Sequence, residues 1–464
     1  MKFINDTICA ITTASGMGAI AVIRVSGNEA FPICDKFFQA ASASKSLVQA
    51  TSHTALFGRI IENENVVDEV LCTVFKTPNS FTGEDTVEIS CHGSVYIQQK
   101  IIRMLLNAGC RMAEPGEFSR RAFQNNKMDL SQAEAIADLI ASTTSANHKL
   151  AMQQMRGGFS KELSHLRNLL LQFVTLIELE LDFSEEEVEF ADRKKLRALT
   201  NEMSAHLKRL VQSFQVGNAI KDGIPVAIVG DTNAGKSTLL NCLLNEEKAI
   251  VSDIHGTTRD SIEDTTTMGG ILFRFIDTAG LRHTQDTIEQ MGIDRSIQMM
   301  EKAAIILWVI DATRAQQNDW IEEKIQSFSS DKKILIVFNK MDQVTAETSA
   351  TLQEKYAHIN GKKLHISAKK GENVEELKTT LIDLVGFSEL EHQDVVVTNL
   401  RHYDMLSKAY DAISRVQDGL DNQLSGDFLS QDIRECLHYL GQITGQITSD
   451  EVLHNIFKHF CIGK

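Results

Sequence analysis

Apolar and polar residues alternate in short runs from the start of the chain. Thr7 to Thr12, Ala19 to Val25, Ala55 to Ile61, Val67 to Phe75 and Thr86 to Cys91 each read as a strand between turn-rich stretches. A helix-like segment, Val95 to Asn107, follows. Strands adjoining strands, with few helices, predict an α+β domain with antiparallel pairing over residues 1–120. From about residue 121 the period lengthens. Leu163, Leu166, Leu170, Phe173 and Ile177 recur at spacings of three and four, which puts them on one helix face and predicts a bundle seam. Residues 221–385 switch to apolar strands alternating with helices, and helical texture returns over 386–464, through Leu400 to Val416 and Asp432 to Phe460. A helical region, 121–220 and 386–464, split by an inserted α/β domain is the economical layout, because insertion is tolerated where termini lie close together.

Composition narrows this little. The chain has 464 residues, too many for one core, with 43% apolar and 23% charged residues. A net charge of −15 argues against a generally basic nucleic-acid coat but leaves room for a local RNA-binding patch. The visible basic clusters, Arg120-Arg121 and Arg193-Lys194-Lys195, read as solvated surface, and so does the acidic run Glu185 to Glu187 with Glu189. Eight cysteines without metal spacing read as reduced, mostly buried thiols of a cytoplasmic protein. No run is long enough to span a bilayer, and Met1 to Ala14 lacks a signal-type apolar core.

The inserted domain carries the chemistry. An apolar run, Ile224 to Val229, leads into Gly230-Asp-Thr-Asn-Ala-Gly-Lys-Ser237 and then a helix-like stretch, Thr238 to Leu244. Glycines here let the backbone N–H groups face a polyphosphate. Lys236 brings charge to the β- and γ-phosphates, and Ser237 offers a hydroxyl to Mg²⁺. Asp277-Thr278-Ala279-Gly280 ends a second strand, Ile271 to Ile276, where a carboxylate reaches the Mg²⁺ shell and an amide meets the γ-phosphate. Asn339-Lys340-Met341-Asp342 ends a third, Ile334 to Phe338, and Asp342 suits the N–H donors of guanine that adenine lacks. Ser367-Ala368-Lys369 completes the base pocket after a fourth strand. The expected fold is therefore multidomain α/β: an N-terminal α+β domain, a helical bundle domain and an inserted P-loop GTPase domain with a doubly wound sheet.

Leu281 stands where many GTPases place a water-orienting glutamine, so the water must be positioned by another group, with Arg282, His283 and Glu289 nearby. Between the phosphate loop and Asp277 lies Ser252-Asp253-Ile254-His255-Gly256-Thr257-Thr258, where one threonine can reach Mg²⁺ and one is spare. Two readings stand for Asn233: a turn-former, or a ligand for a monovalent cation that neutralises charge developing on the phosphates.

These residues resemble the MnmE or TrmE family of tRNA-modification GTPases over the whole chain. Gly83-Glu84-Asp85, His92-Gly93, Pro115-Gly116-Glu117-Phe118-Ser119, Lys127 to Ile136, Gly256 to Asp260 and Cys461-Ile462-Gly463-Lys464 look like its signatures. The resemblance implies an N-terminal folate-binding and dimerising domain, a constitutive homodimer, and a heterotetramer with an FAD-dependent MnmG-type partner. That assembly would modify C5 of the wobble uridine of certain tRNAs with an aminomethyl-type group, using a tetrahydrofolate derivative (5-formyl or 5,10-methylene). GTP hydrolysis would open and close the paired GTPase domains. By the same resemblance, Asn233, Ala234, Gly235, Lys236, Ser237 and Thr238 bind GTP together with 252–258, 277–280, Asn339, Lys340, Asp342 and 367–369. Ser237 and Thr258 hold Mg²⁺; Asn233, Ser252, Ile254 and Thr257 hold K⁺; Arg24, Glu88, Lys127 and Lys464 bind folate. Glu289 positions the hydrolytic water, beside Lys236 and Asn233 as catalytic residues; spacing alone reads it as helix-surface charge. Cys461 is open between a nucleophile toward the uridine ring and a structural cysteine closing the folate pocket. Two other functions compete: a regulatory GTPase without RNA chemistry, and a folate enzyme with GTP as allosteric effector.

Overall fold

The computed structural model describes residues 6–42, 46–182, 193–244, 263–276, 289–314, 319–328, 332–386 and 395–464. Two compact units divide the chain. The first comprises 1–137, 154–172 and 437–464, and the second 138–153 and 173–436.

The first unit is built on a seven-stranded sheet: β1 (Ile8–Ile11), β2 (Ile20–Ser26), β3 (Phe38–Ala40), β4 (Thr54–Glu62), β5 (Asn65–Phe75), β6 (Thr86–His92) and β7 (Arg111–Met112). Their order is β3-β4-β5-β6-β2-β1-β7, antiparallel throughout except for the parallel β1–β7 pair. Alternation sets which face is buried: on β4, Leu56 and Ile60 point inward while Phe57 and Arg59 are exposed. The inward face packs on α1 (Ala30–Asp35) and α2 (Val95–Asn107), whose Ile101, Met104 and Leu105 enter the core with Val70, Cys72 and Ile89. The expected strands and α2 are all present. The short elements α1, β3 and β7, and α3 (Glu117–Gln124), escape the period count because each is too brief to show one.

Arg121 departs from the solvated-surface reading of Arg120-Arg121. It is buried, and its guanidinium donates to Asp6 Oδ1 (2.6 Å), Glu84 (3.2 Å) and Glu117 Oε1 (3.0 Å). Arg111 reaches the same Glu117 (2.6 and 3.0 Å) and Asp6 (2.6 Å). Burial alone would raise the Glu117 carboxyl, but Arg111, the Glu114 amide and Arg121 outweigh it and hold the pKa below the usual range.

The remaining helices are α4 (Leu130–Ala141), α5 (Ser145–Met155), α6 (Gly158–Asp182) and α7 (Arg193–Asp222), followed after the second sheet by α13 (Leu400–Asp421), α14 (Gly426–Thr444) and α15 (Asp450–Phe457). The stripe on α6 is core: Leu163, Leu166, Leu170 and Ile177 are buried, with Phe173 half-buried beside a buried Val174. The helical texture expected over Asp432 to Phe460 is carried by two helices, because Gly445 takes φ +83° and ends α14. Helices from either side of the inserted sheet pack together in the second unit. Phe214 of α7 stacks on Tyr403 of α13 (4.4 Å), Ser213 Oγ accepts from Val397 N (3.1 Å), and Gln417 Nε2 donates to Asn201 (2.7 Å).

The second sheet contains β8 (Ile224–Val229), β9 (Asp264–Met268), β10 (Ile271–Phe275), β11 (Ile305–Asp311), β12 (Lys333–Asn339) and β13 (Lys362–His365), in the order β13-β12-β11-β8-β10-β9. All neighbours are parallel except the β10–β9 edge. Every residue of β11 is buried, as a central strand covered on both faces requires. Around the sheet lie α8 (Lys236–Leu244), α9 (Glu289–Lys302), α10 (Asp319–Ser327), α11 (Ala346–Lys355) and α12 (Val374–Val385).

Glu117→Gln is expected to destabilise the chain by about 3 kcal/mol at neutral pH, because it leaves Arg121 buried with less compensating charge. Glu117 has a depressed folded pKa, so its contribution is full above the unfolded value of about 4.3 and is lost as pH falls through the folded value. Denaturant titrations at neutral and acid pH should therefore show the gap between wild type and variant closing on acidification.

Candidate functional site

Five parallel strands of the second sheet, β8, β10, β11, β12 and β13, point their carboxyl ends to one edge, the crevice where ligands bind in such sheets. From β8 the chain enters the phosphate loop, with Asn233 at φ +65° and Gly235 at φ +96°. Asparagine tolerates the left-handed region and glycine enters it freely, so the loop turns tightly into α8. Lys236 at the head of α8 donates to the carbonyls of Gly230 (2.8 Å) and Asp231 (2.6 Å). Burial penalises its charged form and lowers its pKa from the ordinary lysine value.

The end of β12 supplies the tie across the edge. Asn339, 2% exposed, donates from Nδ2 to Ala234 O (2.8 Å), and its Oδ1 accepts from Ala368 N (3.0 Å). One amide thereby joins the phosphate loop to the loop after β13. Asp342 Oδ1 accepts from Ser367 Oγ (2.8 Å), and this bond, with Lys370 at 3.7 Å, holds the carboxyl below its usual pKa. Lys340 sits at φ +66° and its ammonium meets Asp311 Oδ2 at 2.6 Å.

Asp311 is a residue that sequence reasoning missed. It ends β11 at the same edge, and its other oxygen accepts from the N–H (2.9 Å) and hydroxyl (2.6 Å) of Thr313. The signal was available: an apolar run ending in Asp-Ala-Thr is a further strand end in the same series. Cys242 adds a contact from α8, donating from Sγ to Ala368 O (3.0 Å).

The edge thus brings together Asn233, Ala234, Gly235, Lys236, Ser237 and Thr238 with Asn339, Lys340, Asp342, Ser367, Ala368 and Lys369. Ser252, Asp253, Ile254, His255, Gly256, Thr257 and Thr258 lie outside the described residues, as do Asp277, Thr278, Ala279 and Gly280. Glu289 opens α9, and its side chain is likewise outside the description. Among the described residues no group of three His, Cys, Asp or Glu could hold a metal ion, and no helix is long and apolar enough to cross a membrane.

In the first unit, Arg24 and Glu88 face each other across β2 and β6, with Nε to Oε1 at 2.9 Å. The Arg24 guanidinium also lies over the rings of Phe81 (5.2 Å) and Phe118 (5.4 Å). Lys464 reaches this place by its main chain, its carbonyl accepting from Phe118 N (3.2 Å), while the Cys461 carbonyl accepts from Gly116 N (3.4 Å). Cys461 is exposed. Lys127 donates instead to Pro78 O (2.9 Å). The structure therefore joins Arg24, Glu88 and the Cys-Ile-Gly-Lys segment around Phe118, with Lys127 on the adjoining loop.

A family model described as the MnmE helical domain matches residues 130–461, and one described as the GTP-binding protein TrmE N-terminus matches 7–127. The chain is 57% identical to the tRNA modification GTPase MnmE of Bacteroides thetaiotaomicron, over 99% of this chain and 100% of that relative. It is 53% identical to the protein of the same name from Flavobacterium johnsoniae, over 99% of each. Among solved structures, the FeoB G-domain of Methanococcus jannaschii is similar at 23% identity and a TM-score of 0.25, over 35% of this chain and 96% of that one.

Asn339→Ala would strip the partners from Ala234 O and Ala368 N in a buried place. The expected loss is about 2–6 kcal/mol of stability at this edge, at roughly 1–3 kcal/mol for each of the two stranded groups. A thermal melt of the variant, with a fluorescent guanine-nucleotide titration alongside, should show both stability and affinity falling.

Proposed function

The chain belongs to the MnmE family of tRNA modification GTPases, a GTP-hydrolysing enzyme, and from that premise we propose how its residues divide the work. The observation that carries the reading is the convergence of Lys236, Asn339, Asp342 and Ser367 on one sheet edge. Lys236 and the phosphate-loop amides take the polyphosphate. Asp342, aligned by Ser367, takes the guanine N–H donors, with Ala368 and Lys369 beside it. Ser237 and Thr258 hold Mg²⁺ with Asp277 in its shell, and Asn233 and Thr257 side chains with the Ser252 and Ile254 backbones hold K⁺. Such a cation would offset charge building on the phosphates, and Glu289 would orient the attacking water that Leu281 cannot.

The same proposal gives residues 1–120 to folate binding and dimerisation, 121–220 and 386–464 to the helical domain, and 221–385 to the inserted GTPase. Glu88 suits the amidine edge of a pterin, and Arg24, Lys127 and Lys464 suit the carboxylates of the folate tail. A homodimer joins an FAD-dependent MnmG-type subunit in a heterotetramer in the cytoplasm. It modifies C5 of the wobble uridine of certain tRNAs with a one-carbon unit from tetrahydrofolate. Hydrolysis of GTP moves the paired GTPase domains between open and closed. The main-chain docking of Cys461 at Gly116 supports its structural role, and a Cys461→Ser chain keeping full tRNA modification would remove the nucleophile role.

Mass spectrometry of tRNA nucleosides from cells lacking the chain tests the reading: loss of the wobble-uridine modification is expected, and unchanged nucleosides would return the regulatory GTPase. With purified chain, turnover in K⁺ should exceed that in Na⁺ sharply at equal ionic strength; equal rates would refute the cation site. Glu289→Ala should lower turnover with nucleotide affinity nearly unchanged, because its contact is made in the transition state. A matching loss of GTP binding would make its role structural.

A further inference from the structure

At the sheet edge Asp311 pairs with Lys340. Asp311 ends β11 opposite Asn339 in the β11–β12 register, so the carboxylate and the base-pocket loop leave adjacent strands at the same level. From there the side chains diverge. Asn339 turns its amide to Ala234 and Ala368, while the next residue, Lys340 at φ +66°, turns its ammonium to Asp311 Oδ2 at 2.6 Å.

Asp311 is fixed before the lysine reaches it. Its side chain is 8% exposed, and its second oxygen accepts from the N–H (2.9 Å) and hydroxyl (2.6 Å) of Thr313. The main chain is tied as well: Ala312 N donates to Asn339 O (3.0 Å), and the Asp311 carbonyl accepts from Arg314 N (3.2 Å). Burial alone would raise the Asp311 carboxyl, but Lys340 and Thr313 outweigh it and hold the pKa below the usual range, so the group is ionised at neutral pH. Lysine is the flexible member of the pair, a point charge on a four-carbon stem, and it goes where the fixed carboxylate holds it.

Its placement bears on the base pocket. Lys340 leads into the single turn Met341–Gln343, and Asp342, two residues on, is the carboxylate matched to the N1–H and 2-amino donors of guanine. Asp342 already accepts from Ser367 Oγ (2.8 Å) and has the Lys370 ammonium at 3.7 Å. An ammonium has three donors and no acceptor, so a second one on Asp342 would compete with the base for the same lone pairs. Pairing with Asp311 satisfies Lys340 elsewhere and leaves those lone pairs to the nucleotide.

We propose that Asp311 is a positioning residue for guanine recognition: by holding the Lys340 ammonium it keeps Asp342 open to the base, and so sets the preference for guanine over hypoxanthine. Hypoxanthine lacks only the 2-amino group, which makes it the sensitive comparison. The inference rests on the Asp342 reading above and extends it to a residue outside the pocket.

The test measures GDP and IDP affinities of the full chain by displacement of a fluorescent guanine nucleotide. Wild type should prefer GDP by about tenfold or more, the scale of one hydrogen bond to a charged acceptor. Asp311→Asn keeps the size of the side chain and an acceptor for Thr313 while removing the charge that holds Lys340. It should weaken GDP more than IDP and narrow their ratio by about threefold or more, because a carboxylate engaged by ammonium is a poorer acceptor for the base. Asp311→Ser should narrow the ratio in the same way, and thermal melts of both variants report on folding. Asp311→Asn/Lys340→Met, with an unbranched stem and no ammonium, should restore the ratio. A purely structural role would weaken GDP and IDP alike and give no recovery. An unchanged ratio in the single variants, or no recovery in the double variant, overturns the inference and leaves the Asp342 reading standing. Equal binding of GDP and IDP by the wild-type chain overturns both.

Discussion

The side-chain amide of Asn339 is the constraint on which the nucleotide edge depends. A parallel sheet can bring strand ends to one side, but it does not set the distance between the loops that leave them. Asn339 does, with one donor on Ala234 and one acceptor on Ala368, at the end of a strand whose Leu335 to Phe338 are fully buried. In that low-dielectric setting each bond is expensive to leave unmade, so the two loops move together or not at all. Aspartate would lose the donor at this position, and leucine would lose both contacts.

The first unit solves a different problem, that of holding elements far apart in sequence around one surface. Phe118 does this with two parts of one residue: its N–H takes the Lys464 carbonyl, and its ring lies under Arg24. Behind it, Arg121 gathers Asp6, Glu84 and Glu117 from three separate segments. Each of those acids would be costly to bury alone, and the guanidinium fork lets one cation serve all three.

Long-period features were legible in the sequence, and short or distant ones were not. The strands from Ile8 to His92 and the helix at Val95 carry their own alternation, and the phosphate loop and the Asn339–Asp342 segment carry their own chemistry, so each is readable within a dozen residues. Arg121 is different. Its neighbour Arg120 has the same charge and side chain, and only partners up to 115 positions away decide that one is buried while the other is half-exposed. Gly445 was similarly silent, because the apolar periodicity of Asp432 to Phe460 continues across a residue that reverses the backbone. Asp311 was visible as a strand end, and its role emerges only when Lys340 is seen against it.

The cysteines carry an experimental consequence. Of the eight, six are buried, Cys242 is half-buried with its thiol turned to Ala368, and Cys461 alone is exposed. Burial pushes the Cys91 thiol up to about 11 and Cys436 up to about 12, which leaves little thiolate to react at neutral pH. Because the other thiols are buried or half-buried, a maleimide dye added to the native chain should favour Cys461 without any cysteine being engineered in or out. The chain comes with a single-colour reporter position already placed where its last residues meet Gly116 and Phe118, so fluorescence from that one site can follow events there during turnover.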